Sequence, residues 1–275
     1  MATSVDNRIP THPGLETAGA VSQYLQVSPS EGEFGRMAGS VLAWFEGKKT
    51  LFAFGGPFPY VASEVTETKD NSGTMPIGAD GLAMTTGNGD DNDLGFLTNK
   101  KLGNLAQGTA NIPFAGMFIE AHLMVSLPDI TENDFWFGFS DVADPIASAP
   151  NDHISFVKTD GAATMVGRVR GNAGTAADSG TLHTFVANQK VRLGIKAYLG
   201  TAATTWGEFL VTPCGAGGVT TRTPFTAAQN AQLFAWLTSP TQTIGGLLWV
   251  RNGDANVRVI SVPYGWWTQD RLATG

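Results

Sequence analysis

Residues 118–125 read FIEAHLMV, with Ile119, Ala121, Leu123 and Val125 on one face and Glu120, His122 and Met124 on the other. Side chains alternate across a strand with period two, so this stretch is a half-buried antiparallel strand. Residues 191–198, VRLGIKAY, repeat the pattern, with Val191, Leu193, Ile195 and Ala197 on one side and Arg192, Lys196 and Tyr198 on the other. Between Phe118 and Val211 such runs recur, each closed by a Gly, Asn, Asp or Pro turn. That rhythm predicts an all-β sandwich.

Working outward, further strands are expected at 116–127, 134–140, 153–158, 164–169, 182–186, 191–199, 207–211, 246–251 and 256–263. Residues 81–98 read as strand, tight loop and strand, with Asn88 to Asp93 as the loop. SVLAWFEG (40–47) and TLFAFGG (50–56) suggest a hairpin, and the polar segment 57–78 reads as a crossing at an edge of the sandwich. Phe225 to Leu237 is the helical candidate, with Thr226 as its cap, the alternative being a loop with one helical turn. Residues 1–33 lack periodicity, contain Pro10, Pro13 and Pro29, and read as an extended arm, which leaves 34–275 for the sandwich.

The bulk composition narrows function mainly by exclusion. A net charge of −7 speaks against a nucleic-acid surface, and Lys48–Lys49, Lys100–Lys101 and the Arg168/Arg170 pair read as solvated strand ends or faces. No apolar run approaches the ~18 residues of a membrane span, so no membrane partner is expected. One cysteine, Cys214, leaves no internal disulfide framework. The first residues, MATSVDNRIPTHPG, have neither a basic start nor an apolar stretch, so synthesis in a cytoplasm without a signal peptide is expected.

The serine-hydrolase elbow, the phosphate-binding Gly-rich loop and the metalloprotease His-Glu-X-X-His are absent from the sequence. His12, His122, His153 and His183 stand without carboxylate or thiol at ligand spacing. Glycan cleavage needs two facing carboxylates, yet Glu120 and Glu208 are each alone in their strands, and Glu64 and Glu67 are three apart. No catalytic residue and no cofactor is therefore assigned, and the chain reads as non-enzymatic. Asp90, Asp91 and Asp93 could offer oxygens to Ca²⁺, but Asn-Gly and Asp are also what a tight turn selects, and the turn is the favoured reading. The segment Asp129 to Asp134 invites the same comparison. Phe135, Phe137 and Phe139 share a face and are core candidates, so Trp136 points the other way. Trp266 and Trp267 are adjacent, so in extended backbone one of them faces outward, near Tyr264. An outward aromatic binds an apolar group, stacks on a sugar or meets a neighbouring subunit. With no polar cluster beside these three in the sequence, the subunit contact leads.

Several segments together resemble the concanavalin A-like, laminin-G-like jelly rolls of virion proteins in tailed bacteriophages. They are GLAMTTG with its DDND turn (81–93), FIEAHLMV (118–125), FWFGFSD (135–141), VRLGIKA (191–197) before GEFLV (207–211), and the closing LWV and RVISV pair. The resemblance spans about residues 38–271 and implies an antiparallel jelly-roll sandwich. It also implies a structural, capsid-decorating or head-associated role in the virion, with the major capsid protein and further copies of the chain as partners. The alternative is a carbohydrate-binding, receptor-recognising module of a tail fibre or spike. The calcium and sugar ligands of lectins with this fold find no residue-by-residue match here.

Overall fold

The computed structural model describes residues 48–55, 61–70, 73–78, 81–103, 115–215, 218–238 and 243–270. The proposed arm, 1–33, and the strand expected at 40–47 lie outside them. Most described residues belong to one compact unit, Thr50–Leu272; the other unit, Met1–Lys49 with Ala273–Gly275, is almost wholly undescribed.

Two antiparallel sheets form the sandwich. The first contains β1 (Lys48–Phe54), β3 (Ile77–Gly78), β4 (Gly81–Thr85), β6 (Met117–Ser126), β11 (Lys190–Leu199), β12 (Trp206–Pro213), β13 (Thr221–Pro224) and β15 (Val259–Asp270). Its order is β13-β12-β11-β6-β15-β4-β3, with β1 also paired to β15. The second contains β2 (Val65–Lys69), β5 (Asp93–Thr98), β7 (Asn133–Ser140), β8 (His153–Lys158), β9 (Thr164–Arg170), β10 (Ala177–Thr184) and β14 (Gly245–Asn252), in the order β10-β9-β8-β7-β14-β5-β2. Chain neighbours such as β6 and β7 lie in opposite sheets, so the connections cross the sandwich, as in a jelly roll. The fold implied by the resemblance is the one observed.

The alternation in residues 118–125 and 191–198 is what the burial shows. Ile119, Ala121, Leu123, Val125, Val191, Leu193, Ile195 and Ala197 are all buried and meet in register between β6 and β11. Phe135, Phe137 and Phe139 fill the facing side from β7. Trp267 crosses between the sheets. Its ring lies against Phe52, Phe54, Phe96 and Phe137, with centroids 5.6 to 6.4 Å away, and its Nε1 donates to the Gly138 carbonyl oxygen at 2.7 Å. Gly246 makes this possible, since a Cβ there would sit 2.5 Å from the indole.

Three local expectations need correction. The segment 57–78 is not only a crossing, for it supplies edge strand β2, paired to β5 through Val65–Lys69. The strand expected at 182–186 lies upstream, at Ala177–Thr184, where two register shifts against β9 accommodate Gly180 at φ +76°. The aromatic stretch 264–267 is part of β15, which continues past Pro263 to Asp270. Around Pro263 the strand shifts register against β6, between Ser261, opposite Ser126, and Tyr264–Gln269, while Val259–Val262 also pair with β4. Gly55 and Gly81, both at positive φ, abut that proline where a side chain would collide with it. The helix is real. Helix α1 spans Ala227–Ala235 with a capping box, in which Thr226 Oγ1 accepts from Gln229 N and Gln229 Oε1 accepts from Thr226 N.

Trp267→Ala should lower the unfolding free energy by about 3–5 kcal/mol, the usual cost of deleting a buried large aromatic. Trp267→Phe, which removes the bond to Gly138 but keeps most apolar volume, should cost only about 1–2 kcal/mol. Urea unfolding followed by circular dichroism checks both.

Candidate functional site on the outer face of the first sheet

The two sheets differ in what their outer faces present. On the second, Trp136 turns away from the core as the alternation requires and lies opposite Trp249. With Leu97, Val157 and Leu247 these rings form a separate buried cluster, against which Ala143 of the β7–β8 connection and Val166 pack. That face is closed.

The outer face of the first sheet is laid out in rows by its registers. Phe118, Tyr198 and Trp206 form one row across β6, β11 and β12. The next holds Thr268, Glu120, Lys196 and Glu208, and the third holds Trp266, His122, Gly194, Leu210 and Arg222. A fourth row contains Tyr264, Met124, Arg192 and Thr212. Trp206 is 43% exposed and tilts against Phe118 at a centroid distance of 6.0 Å. Trp266 stacks on His122 at 4.3 Å and 25°. Gly194 leaves room for that imidazole, because a Cβ there would come within 2.9 Å of it.

Between the aromatics run two ion pairs with a common design. Glu120 is nearly buried and holds Lys196 Nζ at 3.1 Å; Glu208 is nearly buried and binds Arg222 through both guanidinium Nε at 3.0 Å and Nη2 at 2.6 Å. The carboxylates lie low on the sheet and the cations above them, since Lys196 is half-buried and Arg222 exposed. A fixed counter-ion orients a long cationic side chain and lowers the entropy lost when it donates to a ligand.

The expected site residues separate accordingly. Trp267 is wholly buried in the core, which corrects its assignment as an interface candidate, because none of its surface is left for a partner. Tyr264 and Trp266 lie on the outer face, Tyr264 8% exposed and Trp266 half-buried. The polar groups near them come from β6, β11, β12 and β13, far away in sequence, which is why sequence proximity missed them. Trp206 was also missed, although its place directly before the expected strand Gly207–Val211 puts it in the alternating pattern.

The aspartates considered for calcium do not gather. Asp90 is exposed, Asp91 at φ +62° pairs with Arg251 at 3.1 Å, and Asp93 opens β5 with a buried carboxyl. Asp129 accepts from the backbone of Thr131 and Glu132 and pairs with Arg258, while Asp134 binds Arg251. Among the described residues no three His, Cys, Asp or Glu side chains are arranged to hold a metal ion.

Burial pushes Asp93 up to about 8, reinforced by the hydrogen bond and charge of Asp144 and by Asp70, and opposed by Arg251. A raised carboxyl keeps its proton in the fold and releases it when unfolded, so its contribution is complete below about 4 and is lost as pH rises towards 8. His153, pushed down to about 3 by burial, acts oppositely but only below its ordinary range near 6.5. Lys101 and Lys158, both lowered to about 8 by burial, act oppositely only at higher pH. Between about pH 6.5 and 8 stability should therefore fall, and Asp93→Asn should flatten that slope; urea midpoints at the two pH values test it, and an unchanged slope in the variant would refute the assignment.

No protein-family model matches this sequence, and no curated protein matches it. Among solved structures, the fold is similar to the lectin UEA-II complexed with galactose (TM-score 0.50, 10% identity, 80% of this chain and 98% of that one). It is similar to lectin II from Ulex europaeus (TM-score 0.50, 9% identity, 81% of this chain and 100% of that one). The CBM2 module of the evolved Dit of Lactobacillus casei BL23 phage J-1 also aligns (TM-score 0.48, 8% identity, 81% of this chain and 96% of that one). At these identities the likeness extends to the fold, a concanavalin A-like, lectin-like β-sandwich.

Proposed function

We propose that this chain is a non-catalytic glycan-binding module whose binding surface is the outer face of the first sheet. The observation that carries the reading is Trp206, exposed on that face in the row next to Lys196 and Glu208, with Arg222 paired to Glu208. Sugar rings offer an apolar C–H face and a rim of hydroxyls. An exposed indole meets the first, and oriented ammonium and guanidinium donors meet the second. The subunit-contact reading led on the premise that no polar cluster accompanied the outward aromatics, and the assembled sheet supplies one.

A hydrolytic role is disfavoured by the same geometry. Glu120 and Glu208 are two strands apart with Lys196 between them in register, and each is tied to a cation. Glycoside hydrolysis needs one carboxyl to deliver a proton to the leaving oxygen, and an ion-paired carboxylate is an acceptor.

A second reading has this face meeting a neighbouring subunit of a bacteriophage virion, with the major capsid protein or another copy of the chain as partner. It is supported by the resemblance of the strand segments to phage jelly rolls and by Tyr264 and Trp266 on the outer face. Receptor recognition by a virion protein unites the two, with the virion as location and a cell-surface glycan as ligand.

A glycan array probed with the parent protein and with Trp206→Ala tests the proposal. The parent should give reproducible signals, and the variant, folded by circular dichroism, should lose them, since truncating an aromatic anchor often costs ~2 kcal/mol. A parent that binds no glycan but forms stable oligomers by native mass measurement, weakened in Trp206→Ala and Trp266→Ala, would favour subunit contact.

A further inference from the structure

We infer that Asn88 is a site of self-modification, at which the main-chain nitrogen of Gly89 displaces the side-chain amide nitrogen and water then leaves aspartate or isoaspartate in its place. The inference is independent of the glycan-binding reading and concerns the β4–β5 connection, residues 86–92.

Asn-Gly-Asp occurs twice in the sequence, at 88–90 and at 252–254, and the fold treats the two copies oppositely. Attack by the following nitrogen on an asparagine Cγ needs a side-chain amide free to swing onto the chain, a backbone N–H not committed to a carbonyl, and no Cβ on the next residue to obstruct the approach. Asn88 meets all of these conditions. It is exposed, and among the described residues neither its side-chain amide nor the Gly89 N–H has a hydrogen-bond partner. Asn252 has the glycine and nothing else. It is wholly buried, its Nδ2 donates to the Gly87 oxygen at 2.7 Å and the Asn256 oxygen at 2.9 Å, and the Gly253 N–H donates to the Glu132 oxygen at 3.1 Å. Turning that amide onto Gly253 would break these bonds inside the sandwich and leave buried donors unpaired.

In the reaction the Gly89 nitrogen gives its proton to solvent base and bonds to Cγ of Asn88, the Cγ–Nδ2 bond breaks, and ammonia leaves with a proton taken from water. The product is a cyclic imide. Water then opens it on one of two sides: cleavage of the new Cγ–N bond gives aspartate, and cleavage of the original peptide bond leaves the chain running through Cγ as isoaspartate, one methylene longer. The balance is one water consumed and one ammonia released, with no oxidant. Either product places a new carboxylate beside the exposed Asp90 and Asp91. The lengthening stays local because Asn252 grips the loop on both sides of the reacting pair, through the Gly87 oxygen before it and through the Asp91 N–H, which donates to the Asn252 oxygen at 3.1 Å, after it. The modification therefore changes the charge of the loop and leaves the strands paired.

Incubating the full chain in alkaline buffer, digesting it at successive times and quantifying both Asn-Gly peptides by mass spectrometry tests this, with electron-transfer fragmentation to tell isoaspartate from aspartate. The Asn88 peptide should convert to the acid, largely as isoaspartate, while the Asn252 peptide stays an amide; in urea the two should react alike, because their difference comes from the fold. Gly89→Ala should slow the conversion by about tenfold, the effect of ~1.4 kcal/mol on a barrier. Asn88→Gln, a change confined to an exposed side chain, should stop it at that position. An Asn88 that stays an amide as long as Asn252 does in the folded protein, or an Asn252 that reacts as fast as Asn88, overturns the inference. A Gly89→Ala variant that reacts at the parent's rate overturns attack by the residue-89 nitrogen. The modified protein should keep the circular dichroism of the parent, and its loss would overturn the confinement of the change to the loop.

Discussion

The sandwich depends on one side chain that belongs to both sheets. Trp267 extends from β15 of the first sheet, rests its indole on Gly246 of the second, and donates Nε1–H to the Gly138 carbonyl oxygen of β7. Burying an indole without a partner for its N–H would incur a desolvation cost of about 1–3 kcal/mol; the bond to Gly138 removes it and fixes how far and at what angle the sheets stand. Phe52, Phe54, Phe96 and Phe137 then pack around the ring at tilted and edge-on angles. Because neighbouring residues in a strand face opposite ways, anchoring Trp267 inward also commits Trp266 to the outer face. The candidate site thus inherits its orientation from the core.

The asymmetry between the two outer faces follows from the loops. The β7–β8 connection lays Ala143 on Trp136 and Trp249 and brings Asp144 to the buried carboxyl of Asp93, so the second sheet's aromatics are sealed. The strands of the first sheet are joined differently. Between β11 and β12, the short turn at 200–205 is held by Thr201, Thr204 and Thr205 bonding within itself. A turn that satisfies its own polar groups has no need to fold back across the sheet, so Tyr198 and Trp206 on either side of it keep their outward surface.

Much of the architecture was legible in the chain because period-two alternation is a local property. The alternations in FIEAHLMV and VRLGIKAY, the Phe135/Phe137/Phe139 face and the outward turn of Trp136 each follow from a single segment. What escaped was non-local. Edge strand β2 buries only Val65 and leaves its other side chains half-buried or exposed, so its sequence, VTETK, carries little apolar signal. The shift of β10 depends on its pairing with β9 and on Gly180 rather than on its own pattern. The candidate site was invisible for the same reason: Glu120, Lys196, Glu208 and Arg222 are spread over about a hundred residues of chain and become neighbours only through the β6–β11–β12–β13 ladder. Searching for two acids on one strand could not detect acids that face the same side from different strands.

A face built on a ladder recognises ligands differently from one built on loops. Its groups stand at intervals set by the strand spacing and the rise per residue, and those intervals are nearly incompressible, because shifting one strand by a residue would turn its whole apolar side outward. Such a surface cannot close around a small ligand to gain contacts, as a lid or mobile loop can. What it offers is a set of groups already at fixed spacing, whose ordering cost is met by the fold before any contact forms. The buried Glu120 and Glu208 hold Lys196 and Arg222 in place at low exposure of their own, which lowers the ordering cost of any contact these cations make.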